Sequence, residues 1–256
     1  MLTIEFLGTG TSQGVPVIGS THPVCLSKDP KDQRLRVSVV VQWENTHLVI
    51  DCGPDFRQQM IRSKCPKVDA LFITHEHADH TAGLDDIRPF VFNQGAMPLY
   101  ASQRVMNNLQ KRFDYILNDE NKYPGAPSVN TRIVDPKTPF LFRQKEIIPI
   151  EVVHHNLPVL GYRIDDFCYL TDVKLIPEQE KEKLTHLDVL VLSALRIEPH
   201  ISHLNLEEAL ALIEELKPKQ CYLTHLSHLI GFHEEVSKTL PSNVFLAYDT
   251  LKITSY

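Results

Sequence analysis

The sequence predicts an α/β protein in which two β-sheets face one another and helices cover their outer faces. Three observations carry this. Short apolar runs of strand length alternate with helical stretches in a mixed order. Three of those runs end in residues that can hold a metal ion: His154 or His155, then Asp172, then His225. No linker, repeat or low-complexity stretch interrupts the 256 residues, so residues 1–256 are expected to form one domain, long enough to bury a core.

A fourth run ends in the densest group of ligands. Val68–Ile73 reads as a buried strand, and it leads straight into Thr74-His75-Glu76-His77-Ala78-Asp79-His80. On extended backbone His75 and His77 point the same way. Asp79 and His80 follow after a turn, where they are placed to face a second metal beside the first. The zinc-protease pattern H-E-x-x-H is absent, because Asp79 stands where the second histidine would be.

The other elements follow in order. Leu2–Leu7 alternates as a strand does. The glycine loop from Gly8 to Gly14 lacks the lysine of a phosphate-binding loop and the G-x-G-x-x-G spacing, so it reads as a tight turn that brings backbone near the site. Arg34–Gln42 and His47–Asp51 form a hairpin turning at Glu44-Asn45. Asp51 closes the second strand, either as an acceptor for a ligand histidine or as an ordinary turn aspartate. Pro54 opens a helix to about Lys64. Arg88 is expected in an ion pair rather than on a substrate. A strand at Pro98–Ala101 and a helix at Gln103–Phe113 precede the extended irregular segment Asn118–Asn130, a lid or dimer contact by its length. Strands are expected at Thr131–Val134, Pro139–Phe142 and Ile147–Val153, with a hairpin of Gly161–Ile164 and Cys168–Asp172. A helix at Pro177–Leu184, a strand at Asp188–Leu192, an amphipathic helix at Asn205–Leu216 and a strand at Cys221–Leu223 complete the pattern. His233 falls on the helix that follows.

Composition excludes several classes. Hydrophobic residues at 43% and charged residues at 23% suit a soluble globular protein, and no apolar run approaches the ~20 residues that span a bilayer. The N-terminal stretch lacks the basic start and apolar segment of a signal peptide, which predicts a cytoplasmic protein. The five cysteines are scattered and odd in number, against a disulfide framework. A net charge of −6 disfavours a broad nucleic-acid surface, leaving only a local basic patch near Lys31, Arg34 and Arg36.

These motifs resemble the metallo-β-lactamase superfamily over nearly the whole chain. Within it, the chain is similar to the phosphodiesterases of phosphonate breakdown, which open phosphoribosyl 1,2-cyclic phosphate. The matching stretches are Leu7-Gly8-Thr9-Gly10, Thr74 to His80, Leu157 with Gly161-Tyr162, Leu170-Thr171-Asp172, His203-Leu204-Asn205-Leu206 and Leu223 to His228. The resemblance implies a four-layer αββα sandwich with two divalent metal ions at one edge. It assigns His75, His77 and His154 to one metal, Asp79, His80 and His225 to the other, and Asp172 as the bridge. His155 is the alternative to His154. His203 matches a catalytic histidine, with His200 its competitor, and a homodimer is also implied. The family carries a remote structural zinc. Here Ser20 and His22 replace two of its cysteines, leaving His22, Cys25 and His228 as its candidate ligands.

Nitrogen and oxygen ligands without thiolate suit zinc, manganese or iron. Two metals ~3.5–4 Å apart can hold a bridging hydroxide at neutral pH. The expected reaction is its attack on the phosphorus of a small phosphodiester, cyclic ones included, with protonated His203 beside the leaving oxygen. The competing readings are a transfer-RNA 3′-processing ribonuclease, a thioester or lactam hydrolase, and a non-enzymatic carrier like the pyrroloquinoline quinone biosynthesis protein B. No Gly/Pro-rich insertion of the ribonuclease kind is evident.

Overall fold

The computed structural model describes residues 1–256, the side chain of Asp119 excepted. Its strands are β1 (Leu2–Gly8), β2 (Ser38–Trp43), β3 (Thr46–Ile50), β4 (Ala70–Phe72), β5 (Met97–Ala101), β6 (Val129–Ile133), β7 (Phe140–Phe142), β8 (Lys145–His154), β9 (Leu157–Ile164), β10 (Phe167–Leu170), β11 (Val189–Ser193), β12 (Gln220–Thr224), β13 (Val244–Leu246) and β14 (Lys252–Ser255). Its α-helices are α1 (Phe56–Ser63), α2 (Ala78–Thr81), α3 (Arg88–Gln94), α4 (Gln103–Arg112), α5 (Asp114–Leu117), α6 (Glu178–Lys181), α7 (Leu206–Leu216) and α8 (His233–Ser237).

The strands make two mixed seven-stranded sheets, ordered β14-β1-β2-β3-β4-β5-β6 and β13-β12-β11-β10-β9-β8-β7. Strand periodicity builds the layers. Ile4, Phe6, Val39, Val41, Leu48, Ile50 and Phe72 point inward and meet Tyr162, Ile164, Tyr169 and Val191 of the other sheet. Their neighbours Leu7, Val40, Val49 and Leu71 point outward onto Phe56 of α1, Val91 of α3 and Leu109 of α4. On the second sheet Cys168, Leu170, Leu190 and Leu223 pack outward on Ala209 and Ile213 of α7. Two-sided burial explains why these strands read as continuous apolar runs. Each fully buried Phe or Leu contributes roughly 1.5–3 kcal/mol. The four-layer αββα sandwich expected from the sequence is the architecture observed.

Four expectations need correction. β9 begins at Leu157, because residues 157–160 pair with β8 residues 151–154 across a tight His155-Asn156 turn. His155 adopts φ 56° there. β6 begins at Val129, where it pairs in parallel with Met97. The helix expected over residues 177–184 breaks into α6 and a 3-10 turn at Glu182–Leu184. The basic patch does not form: Arg34 is buried, its Nη1 donating to Thr9 Oγ1 at 2.9 Å, and Arg36 pairs with Asp55 at 3.1 Å. Arg88, by contrast, pairs with Asp85 as expected and donates to the Tyr123 hydroxyl and the Gly125 carbonyl, so the irregular segment packs on α3. The five cysteines are free and buried. Among the described residues no helix is long and apolar enough to cross a membrane.

Backbone seams hold the two sheets together at one edge. Leu160 donates its N–H to the Thr74 carbonyl at 3.0 Å, and the Tyr162 hydroxyl donates to the Ile73 carbonyl at 2.8 Å. The glycine loop closes the other side: Leu226 donates to the Thr9 carbonyl and Thr11 to the Leu226 carbonyl. That loop is therefore a backbone clamp beside His225, as its composition predicts.

Candidate metal centre

The ligand-bearing loops leave the carboxyl ends of strands that lie side by side. β3 and β4 run parallel, as do β10, β11 and β12, so Asp51, the Thr74–His80 stretch, Asp172 and His225 emerge at the same edge. Such ends form the crevice where open α/β sheets bind ligands. Asp51, Asp172 and His225 each sit just past a strand with φ of 64°, 55° and 56°. Non-glycine residues held in the left-handed region cost roughly 1–3 kcal/mol each and cluster at functional sites.

The structure brings His75, His77, Asp79, His80, His154, Asp172, His203 and His225 together. His80 Nε2 lies 3.2 Å from Asp79 Oδ2 and 3.1 Å from Asp172 Oδ2. His225 Nε2 lies 3.4 Å from Asp172 Oδ1 and 3.6 Å from Asp79 Oδ2. The His75 ring centroid is 4.6 Å from His77 and 6.1 Å from His154, and His77 is 5.4 Å from His154. His154 points into the group, whereas His155 lies in the exposed turn. Three sets of potential ligand atoms converge within 4.8 Å: His75, His80 and Asp172; Asp79, His80 and His225; and His154, Asp172 and His203. Asp172 belongs to two of them.

Hydrogen bonds set which ring nitrogen faces the centre. His80 Nδ1–H donates to Asp51 Oδ2 at 2.6 Å. His154 Nδ1–H donates to the Ser202 carbonyl at 2.7 Å. Thr74 donates both N–H and Oγ1–H to Asp51, at 2.8 Å each, so its hydroxyl is left to accept from His75 Nδ1–H at 3.0 Å. Each contact leaves Nε2 as the ligand atom, the outer-shell arrangement of a metal-bound histidine. The Nε2 atoms of His75, His80 and His225 are buried without a hydrogen-bond partner in good geometry. Orphaned buried nitrogens around two carboxylates are expensive unless a cation completes them. The donor set thus fits divalent metal ions.

Charge inside the cluster is balanced the same way. Burial lowers the tendency of His80 to hold a proton, but Asp79, Asp172 and Asp51 outweigh it and raise its pKa well above the usual histidine value. Burial would raise Asp172, yet His225 and His80 hold it well below the carboxylate range. His203 differs. Burial, then His225, pushes it down to about 3, so its imidazole is neutral, where a protonated ring was expected. His203 stacks 5.1 Å from His225 and lies 4.4 Å from His154, with Nδ1 3.8 Å from Asp172 Oδ1. It does not cap α7. That role belongs to Asn205, in a reciprocal capping box with Glu208. His200 stands farther out, 5.2 Å from His203.

His22, Cys25 and His228 do not converge to the same degree. The His22 and His228 rings are 5.0 Å apart. His22 Nδ1 accepts from Val24 N–H at 3.3 Å, and Cys25 Sγ accepts from Val17 N–H at 3.5 Å. Among the described residues the three make no group with ligand atoms within 4.8 Å of one another.

A family model described as a beta-lactamase superfamily domain matches residues 46–226, a span that contains every ligand candidate of the edge cluster. The chain belongs to the beta-lactamase superfamily. Within that superfamily it is similar to a solved diphosphatase from the PhnP family, at 40% identity and TM-score 0.93, covering 100% of this chain and 98% of that one. It is 37% identical over 248 residues to an octanoyltransferase of Porphyromonas gingivalis, covering 96% of this chain and 50% of that protein. A ribonuclease Z of an Exiguobacterium species is 26% identical over 168 residues. The chain spans about half the length of the curated relatives it matches. The Zn(2+)-bound PqqB of Methylobacterium extorquens, 15% identical at TM-score 0.82 and covering 98% of this chain and 99% of its own, shares the fold.

Sequence reasoning missed the residues that hold the ligand loop from outside. Arg104 Nε donates to Glu76 Oε1 at 2.8 Å, and Arg112 Nη1 donates to the Glu76 carbonyl at 2.7 Å and to Thr81 Oγ1 at 2.9 Å. Both arginines lie on α4, some thirty residues downstream, where nothing local distinguishes them from solvated helix charges. Thr74 had a signal, a hydroxyl directly between a strand end and the first histidine.

Proposed function

We propose that the protein is a two-metal phosphodiesterase acting on a small diester. The observation that carries the reading is the convergence of seven imidazole and carboxylate ligand candidates on one edge, with His203 beside Asp172 and stacked near His225. In this reading His75, His77 and His154 would hold one ion and Asp79, His80 and His225 the second, with Asp172 available to both. Bound there, divalent ions supply a lowered water pKa and neutralise charge on phosphoryl oxygens. Water adds to phosphorus, the P–O bond to the leaving alcohol breaks, and the proton that water loses ends on the departing oxygen, giving a monoester and an alcohol. His203, neutral through burial, gives an N–H hydrogen bond to the leaving oxygen rather than a full proton. The similarity to a diphosphatase of the PhnP family supports phosphorus over carbon as the centre attacked.

The test is hydrolysis of bis(p-nitrophenyl) phosphate by metal-loaded wild type and His203→Ala. A fall of at least ~100-fold in kcat with metal content retained is expected. Unchanged turnover removes His203 from the reaction.

A second reading, hydrolysis of an acyl thioester, is favoured by the octanoyltransferase whose length this chain half covers. It predicts octanoyl-thioester cleavage faster than diester cleavage. The ribonuclease reading has the weaker similarity, and the net charge of −6 weighs against it. A remote zinc on His22, Cys25 and His228 is a subsidiary proposal, read out as a further equivalent of zinc lost in Cys25→Ser.

A further inference from the structure

Two clefts meet at Arg104. The first, about 490 Å³, opens over the ligand cluster and is lined by His77, His154, Glu76 and Arg104. The second, about 370 Å³, lies between the sheets and is lined by Arg104, Ile133, Val134, Glu151, Pro158 and Leu160. Arg104 lines both, and Leu157 of the first precedes Pro158 of the second on β9. Clefts that bind small molecules run from roughly 300 to 1,000 Å³.

The chemistry of the two clefts differs. The first is polar, lined by histidines and by the Arg104–Glu76 ion pair. Arg104 is tied to Glu76 through Nε alone, and its side chain is 58% exposed. Among the described residues its two terminal amino groups make no hydrogen bond, so the planar fork is open to a phosphoryl group. The second cleft is apolar on most of its wall, and Ile133 on its lip is 51% exposed. Two carboxylates interrupt it: Asp135, which accepts from Lys137 N–H and Thr138 Oγ1–H, and Glu151. Its neighbours Ile150 and Val152 face the outer core, so strand alternation turns Glu151 into the cleft. A plain alkyl chain would bury that carboxylate uncompensated, whereas a flat ring bearing N–H or O–H donors would satisfy it.

We propose that Arg104 is a specificity-determining residue that binds a phosphoryl oxygen of the substrate and directs a nucleoside-like substituent into the second cleft. The substrate class is a nucleotide diester. The proposal rests on the phosphodiesterase reading and names its substrate.

The experiment compares two esters with the same leaving group, thymidine 5′-(p-nitrophenyl) phosphate and methyl p-nitrophenyl phosphate, on metal-loaded protein. Thymidine 5′-monophosphate and inorganic phosphate serve as probes of binding alone. In wild type, kcat/KM for the thymidine ester should exceed that for the methyl ester by ~10-fold or more, and the nucleotide should bind more tightly than phosphate. Ile133→Trp, which fills the cleft from an exposed position, should shrink both preferences. Arg104→Ala should do the same mainly through KM, with partial recovery in Arg104→Lys. Equal kcat/KM for the two esters in wild type, or preferences that survive Ile133→Trp, overturn the proposal. Tight nucleotide binding, sensitive to Ile133→Trp but without turnover of either ester, would uphold the cleft and defeat the phosphodiesterase reading instead.

Discussion

Two groups of histidines lie at the loop ends of this fold, and they are built differently. At the sandwich edge, each of three rings is fixed by its Nδ1: His80 on Asp51, His75 on Thr74, His154 on the Ser202 carbonyl. At the N-terminal loop, His22 uses Nδ1 to accept a backbone N–H, and Cys25 accepts another. The first arrangement leaves ligand atoms facing inward without partners. The second spends His22 Nδ1 and Cys25 Sγ on backbone N–H groups and leaves His228 Nδ1 buried without a partner. Spacing of ligand residues alone therefore does not gather their ligand atoms. Partners that turn each ring decide it, and at the edge those partners stand on strands whose register is set by the core.

The comparison breaks most readily at Asp172, the carboxylate shared by two ligand groups. Asp172→Ala should lose metal and lower diester turnover at least ~100-fold. Full metal occupancy with normal turnover would show that the edge cluster is no more organised than the N-terminal one. Asp51→Ala comes next. It touches no candidate ion but orients His80 and Thr74, so metal affinity should drop ~10–100-fold in titrations of apo protein. An unchanged affinity would mean that ring orientation is not what separates the two groups.

Gly53 tests the packing beneath the ligand loop. A Cβ there would meet the Asp79 carbonyl oxygen at 2.0 Å. Gly53→Ala should cost ~1–3 kcal/mol in urea unfolding and weaken metal binding with it. Stability loss without any effect on metal would uncouple the loop from the centre.

The smallest effect concerns His233, a histidine of neither group. Its Nδ1 accepts from Arg34 Nη2 at 3.3 Å, and burial with the nearby Arg34 lowers its pKa to about 4. The unfolded chain takes up this proton near pH 6.5, the folded one only near 4. The contribution is thus fully present above pH 6.5 and is lost progressively as pH falls from 6.5 towards 4, on the order of 1–3 kcal/mol. His233→Gln should flatten that part of the stability profile. A profile with the same slope in the variant would assign the acid sensitivity elsewhere.

Much of this was legible in the residues. Strand alternation carried the layers, and ligands at strand ends carried the edge. Asp51 could be singled out because it closes an apolar strand. The start of β9 was not legible, because a two-residue turn at His155-Asn156 is fixed by pairing with β8 and by a left-handed backbone no local motif announces. Nor was Arg104, whose role depends on Glu76 twenty-eight positions away. The neutral state of His203 was equally hidden, since its cause is burial among residues from distant strands.

The central claim is that the edge cluster binds two divalent ions and that hydrolysis depends on them. Apo protein should be titrated with zinc or manganese while bound metal and diester turnover are followed together. The account predicts two equivalents at the edge, both abolished in Asp172→Ala, with turnover rising as the pair fills. A single equivalent at full activity, or turnover that persists in metal-free protein, would contradict it.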